Sequence, residues 1–349
     1  MSALAGIRIL DLTRLLPGGF CTLLFADFGA DVIKVEDMGA GDYARADPPA
    51  FAALNRGKRS IQLDLKSDAG REAFLRLVPD ADVVIESFRP GVMDRLGVGW
   101  DVLREVNPKL VYCAITGYGQ EGPLSARAGH DLNYLARTGV LALSGDDRPT
   151  QASVQIADVA GGALMAAFGI LAALRTGKGQ FVDISMADGA LSLLAMTAAQ
   201  LIAGGPPPRR GELVLGGRLL CYRPYRCADG WVSIGALEPK FWAAFCNGVG
   251  RPDLIEHQFD APGSEAHAQV EAICLQRTRA EWDAFNAEHD CCVEPVLELD
   301  EALEDAHVRA RGMVAGSLLG DPIRLSETPA DPFRGPPPGL GEHTDELLR

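Results

Sequence analysis

The sequence predicts an α/β protein with a mostly parallel sheet, joined to a smaller α+β domain. Three observations carry that expectation. Short aliphatic runs alternate with segments long enough for crossover helices, the pattern of a parallel sheet covered on both faces. The composition changes after Gly205, where the proline- and arginine-rich run 206–212 precedes a region with its own strand and helix signals. Hydrophobic residues at 47% and charged residues at 23% of 349 positions lie near the globular average, which excludes disorder or coiled coil for the whole chain.

Residues 7–12 read as the first strand. Pro17-Gly18-Gly19 punctuates it, 20–28 has helical apolar spacing, Gly29 ends that helix, and 32–35 form the second strand. Aliphatic runs at 83–85, 110–115 and 181–184 supply further strands. In the second region, 221–236 read as two strands around an Asp229-Gly230 turn, and 240–248, 280–288 and 301–311 as helices. The proline-rich stretch 329–338 leads to a polar end. The expected boundaries are a large domain over 1–190, a linker over 191–222, a small α+β domain over 223–305, a linker over 306–325 and a return to the large domain over 326–349.

Lysine plus arginine number 33 against 47 aspartates and glutamates, a net charge of −14. Such a field repels a phosphate backbone, so no nucleic-acid partner is expected and an anionic ligand needs a local cationic patch. The eight cysteines include no C-x-x-C pair and no tight Cys/His block, which predicts buried, reduced thiols in a cytoplasmic protein. The N-terminus alternates like a strand rather than placing a charged region before an apolar run, so no signal peptide is expected. The apolar stretch 159–174 falls short of the roughly 30 Å of a bilayer core, and 189–208 is interrupted by Gln200 and three prolines; no membrane partner is expected.

Glu36 ends the second strand at a spacing suited to a ribose-binding acid, but the G-x-G-x-x-G pattern is absent, which favours a structural turn over dinucleotide binding. Arg56, Lys58, Arg59, Lys66, Arg89 and Arg95 form a local cationic cluster beside predicted strands, either a solvated face or a phosphate-binding surface. His130 lies in a glycine-flanked run, AGHDLNYLA, as a structural histidine or a proton-transfer group. Asp158 precedes an uncharged helical stretch; it is a first-turn acid favoured by the helix dipole, or a carboxylate acting beside a developing oxyanion.

These residues, with LFADFGADVIKVE (24–36), NRGKRSIQLDLK, FRPGVMDRLG, GYGQEGP, GHDLNY, TGKGQFVDISM (176–186), YRCADGWVSIGALEPKFWAAF (225–245), CCVEPVLELDEAL and GEHTDELL (341–348), carry a resemblance along nearly the whole chain. It resembles the family III CoA-transferase (CaiB/BaiF) superfamily, and within it the alpha-methylacyl-CoA racemases. The resemblance implies a Rossmann-like, CoA-binding large domain and two chains interlocked like rings in a homodimer. It implies an acyl-CoA substrate, and no metal or redox cofactor. His130 and Asp158 match the two catalytic bases of the racemases, and Glu238 matches the acid paired with that histidine. Arg95 matches a contact to CoA phosphate and Phe88 a residue near the adenine. Leu63, Asp64, Leu65 and Lys66, with Gly129, Asp131, Asn133 and Tyr134, match positions along the CoA chain. Family transferases usually carry tyrosine at His130, often glutamine near Leu16, and a glycine-rich loop where this chain has GALEPKF. Asp37 stands where the family often has arginine, and 216–220 differ from the racemases' usual segment. The resemblance therefore implies epimerisation of 2-methyl-branched acyl-CoA through an enolate. CoA transfer with Asp158 as nucleophile, or acyl-CoA binding without catalysis, are the alternatives.

Overall fold

The computed structural model describes residues 2–348. They divide into two compact units, 2–140, 152–195 and 309–348 in the first, 141–151 and 196–308 in the second. The second unit thus takes in 141–151 and 196–222 as well as the segment read from sequence as the small domain.

The first unit is built on β1 (Arg8–Asp11), β2 (Asp31–Glu36), β3 (Arg59–Gln62), β4 (Val83–Glu86), β5 (Val111–Thr116) and β6 (Gln180–Ser185). All neighbouring pairs are parallel. Leu10, Ile33, Val84, Ile85 and Cys113 are fully buried, because helices cover both faces and each inner strand is therefore a continuous aliphatic run. The order β3-β2-β1-β4-β5-β6 reverses direction between β1 and β4. In such doubly wound sheets a ligand crevice opens beyond the strand C-termini at the reversal.

The helices of this unit used below are α1 (Leu15–Asp27), α2 (Pro48–Asn55), α3 (Asp68–Leu77), α4 (Val92–Arg95), α5 (Trp100–Val106), α6 (Asp131–Arg137), α7 (Ala157–Thr176) and α8 (Met186–Ser192). Three of them or their neighbours depart from expectation. Pro17-Gly18-Gly19 lies inside the first turn of α1 instead of before it. A proline is tolerated there because first-turn N–H groups lack partners in any case, and a Cβ on Gly18 would stand 2.1 Å from the Thr13 Cβ. The segment read only as a cationic cluster contains β3, an edge strand whose buried residues are Ser60 and Ile61. The stretch judged too short for a membrane belongs to a 20-residue apolar helix, α7, long enough to span one by length and composition and 44% buried over its apolar window. Its first eight residues are π-helical, a rare form that is frequent at functional sites.

In the second unit, β7 (Tyr222–Cys227), β8 (Gly230–Gly235) and β9 (Val293–Pro295) form an antiparallel sheet in that order. Helices α9 (Pro239–Gly248), α10 (Glu265–Cys274) and α11 (Arg279–His289) accompany it. The core gathers Trp242, Phe245, Trp282 and Phe285 with Tyr225, Val232 and Ile234. Both indoles donate to main-chain oxygens, Trp242 Nε1 to Leu254 at 2.9 Å and Trp282 Nε1 to Cys274 at 3.1 Å, so these large rings are buried without an unpaired N–H. The single helix expected over 301–311 is two, α12 (Leu299–Glu304) and α13 (Ala306–Ala310). Asp305 between them is extended, and its Oδ1 accepts the N–H groups of His307 and Val308, starting a new helix rather than continuing the old one. The eight cysteines are free, and all but Cys292 are buried.

Candidate active site

Beyond the C-terminal ends of β1, β4 and β5 the first unit holds a cavity of about 1160 Å³, larger than the roughly 300–1,000 Å³ usual for small-molecule sites. Its walls come from 14–17, 87–90, 115–117 and 127–130, with Tyr43, Asn133, Tyr134 and Asp158.

The β1–α1 wall is held by buried charge. Leu15 adopts a left-handed backbone, φ 62°, which costs a non-glycine residue about 1–3 kcal/mol. Its N–H donates to Asp42 Oδ1 at 2.9 Å. Lys34 Nζ pairs with Asp42 Oδ2 at 2.7 Å and donates to the Thr13 carbonyl at 2.9 Å, so the turn is fixed from both sides. Beneath it, fully buried Asp11 accepts from the Thr13 and Thr22 hydroxyls at 2.5 and 2.6 Å, and Lys58 Nζ lies 3.5 Å away. Burial alone would raise the Asp11 pKa, but Lys34, Lys58 and the two hydroxyls hold it below its ordinary value. Much of the sequence-defined cationic cluster is committed to the fold: Lys58 also donates to Asn55 Oδ1 and the Gly19 carbonyl, Arg56 pairs with Asp27 at 2.6 Å, and Arg59 with Asp31 at 2.5 Å.

The facing wall, 87–90, follows β4. Buried Glu86 accepts the Phe88 N–H at 2.6 Å, and burial pushes its carboxyl up to about 8. Ser87 Oγ accepts the Arg14 N–H at 3.1 Å, joining the two walls. The Arg14 guanidinium lies 5.0 Å from the Tyr43 ring centroid and 5.6 Å from that of Phe88, and pairs with Asp37 at 2.7 Å. Asp37 is therefore neutralised by an arginine from another segment.

The third wall carries His130 and Asp158. His130 immediately precedes α6, and its N–H donates to Asn133 Oδ1 at 3.0 Å. Its imidazole stands over the first turn of α6 in a capping-box arrangement with Asn133, and it lines the cavity. The Tyr134 hydroxyl donates to the Gly129 carbonyl at 2.5 Å, and its ring fits against Gly117 and Gly129, where a Cβ would stand 2.5 and 2.7 Å from ring atoms. Burial, then the Asp158 charge, push the tyrosine up to about 12. Asp158 lies in the first turn of α7, half-buried. Its carboxyl is raised to about 6, by burial first, then by the Asp131 charge, with His130 opposing.

The cavity brings together His130, Asp158, Phe88, Gly129, Asn133 and Tyr134. Leu63, Asp64, Leu65, Lys66, Arg95 and Asp131 belong to the first unit but do not line it. Leu63 is buried, its N–H donating to the Glu36 carbonyl, whereas Lys66 and Arg95 are exposed. Glu238 belongs to the second unit, where it precedes α9. Sequence reasoning passed over Arg14, Tyr43 and Arg127, which line the cavity. The available signal for Arg14 was its place just past β1, where the strand order reverses. Among the described residues no three His, Cys, Asp or Glu side chains form a metal-holding group. An imidazole and a half-buried carboxyl on one cavity can exchange protons with a bound carbon acid; the carboxylate can also attack a carbonyl.

The CoA-transferase family III model matches residues 4–344. Alpha-methylacyl-CoA racemase of Mus musculus is 38% identical over 360 residues, covering 99% of this chain and 92% of that protein. Succinyl-CoA:mesaconate CoA-transferase of Haloarcula hispanica is 37% identical over 389 residues, covering 100% and 96%. The crystal structure of a CAIB/BAIF family protein from Brucella suis superposes with a TM-score of 0.87 at 32% identity over 100% of both chains. A family match spanning nearly every residue, joined to a doubly wound sheet with a large cavity at its reversal, leads to one assignment: the chain is an enzyme of CoA-transferase family III.

Proposed function

We propose that this enzyme interconverts the epimers of 2-methyl-branched acyl-CoA thioesters by removing and returning the α-proton. A thioester acidifies that proton because the carbanion charge spreads onto the carbonyl oxygen. In one direction neutral His130 takes the proton as the α-C–H bond breaks, and protonated Asp158 supplies a proton to the opposite face of the enolate. The reverse direction exchanges the roles. The observation that carries the reading is the pairing of an imidazole with a carboxyl raised to about 6 on the wall of one cavity, since a carboxyl near neutrality serves as both acid and base. Glu238 lies in the second unit, and the steps written here do not use it. CoA enters as part of the substrate, and the proposed steps use no other cofactor.

The test is α-proton exchange in D2O with either epimer of a 2-methylacyl-CoA and no acceptor acid. Deuterium enters the α-carbon of the wild type, and His130→Ala abolishes exchange while still binding the thioester. Comparable similarity to a CoA-transferase supports a second reading, in which Asp158 attacks the thioester, expels CoA thiolate and forms an anhydride. CoA moving to free acids without deuterium entry, with hydroxylamine trapping mapped to Asp158, would replace the first reading by the second.

We also propose an interlocked homodimer, with α7 at its interface. Leu164, Phe168 and Leu171 recur at helical spacing and are exposed, Phe168 by 75%. Eight free thiols favour a reducing, cytoplasmic setting for the enzyme.

A further inference from the structure

Asp131 follows His130 in the chain and opens α6. Its side chain does not line the cavity: it is 6% exposed, and Oδ1 accepts the main-chain N–H of Ala157 at 2.7 Å and of Asp158 at 3.1 Å. One oxygen therefore ties the segment carrying His130 to the segment carrying Asp158. Helix starts leave such N–H groups unpaired, and an acid from the same segment would satisfy them equally well. An acid from the histidine's own helix does more, because it also fixes where one backbone lies against the other.

We propose that Asp131 is the positioning residue that holds Asp158 at a set separation from His130, rather than a contact to CoA. The proposal rests on the reading in which those two groups are catalytic. Preorganisation of this kind has large leverage, since a misplacement of about 1 Å can cost on the order of 100-fold in rate. Asp131 also acts through its charge. The charged or titratable groups coupled to Asp158 are Asp131, His130 and Tyr134; of these the Asp131 carboxylate opposes ionisation of Asp158 and His130 favours it.

Two variants separate the bond from the charge. Asp131→Asn keeps an oxygen acceptor and removes the charge; Asp131→Ala removes both. The Asp158 carboxyl is titrated by ¹³C NMR of aspartate-labelled protein, assigned by comparison with Asp158→Asn. Asp131→Asn is expected to move that titration about one pH unit lower. On whichever reaction the wild type catalyses, exchange or CoA transfer, Asp131→Ala is expected to lower kcat by about 30-fold with KM within about threefold, and Asp131→Asn to recover most of kcat. An unmoved Asp158 titration in Asp131→Asn, or a raised KM with unchanged kcat in Asp131→Ala, overturns the proposal. The titration needs no activity, so a wild type that exchanges no α-proton defeats the racemase reading without touching that arm.

Discussion

Asp158→Asn is expected to make the protein more stable, and increasingly so as pH rises. The folded carboxyl is carried from an ordinary 3.8 to about 6, by burial first and then by the Asp131 charge, against His130. The unfolded chain loses the proton near pH 4, the folded chain near pH 6. Between those limits the folded state binds more protons, so stability falls with rising pH and levels off above 6. At about 1.4 kcal/mol per pH interval, an ionised Asp158 costs the folded protein at most about 3 kcal/mol. The carboxyl is partly exposed, which reduces the working figure to about 1–2 kcal/mol. Asparagine fills nearly the same volume and carries no charge. Urea unfolding at fixed protein concentration, at pH 5 and pH 8, measures the difference between the variant and the wild type. It should favour the variant at pH 8 and widen by up to about 1 kcal/mol from pH 5 to pH 8. A difference that is flat, or that shrinks with pH, refutes the claim that this carboxyl is held out of its ordinary range by the site.

Asp11→Asn is expected to cost about 3–5 kcal/mol, because it leaves Lys58 buried opposite a neutral side chain; equilibrium unfolding at pH 7 checks this. Since Asp11 is held below its ordinary pKa, its contribution is present above the unfolded value and is lost as pH falls through the lowered folded one. Arg14→Ala removes a partly exposed ion pair and should change stability by less than about 1 kcal/mol. It should nevertheless weaken CoA-thioester binding measured by titration calorimetry, and unchanged affinity would take Arg14 out of the ligand site. Light scattering at micromolar concentration should give a dimer mass, and Phe168→Asp should shift it toward monomer; a monomeric wild type would refute the assembly.

The inner strands were legible because burial on both faces writes an unbroken aliphatic run into the sequence. β3 was not, because an edge strand buries little and its residues, RSIQ, read as polar. The true start of α7 was hidden for a related reason: Ile156 is already helical in its backbone and supplies no side-chain cap to mark the boundary. His130 and Asp158 stood out locally, by the adjoining Gly129 and by an uncharged helix after the acid. Arg14 did not, since its partners Tyr43, Asp37 and Phe88 are distant in sequence and meet only where the strand order reverses.

Asp158 alone does not separate the two chemistries open to this family. With a carboxyl at about 6 it is about nine-tenths ionised at pH 7, abundant enough to attack a thioester carbonyl, yet close enough to neutrality to return a proton. What differs is the group that acts with it. A nucleophilic aspartate needs no second acid–base group at the α-carbon, whereas inversion through an enolate requires one on the opposite face. In this chain the candidate is an imidazole on the same cavity, carried by a segment tied to the aspartate through Asp131. The β1–α1 wall presents Leu16 to the same cavity. Burial is the first cause of the Asp158 carboxyl's raised pKa. A carboxyl brought close to neutrality by burial, on one cavity with an imidazole, is the arrangement that the proposed epimerisation needs, and neither residue alone supplies it.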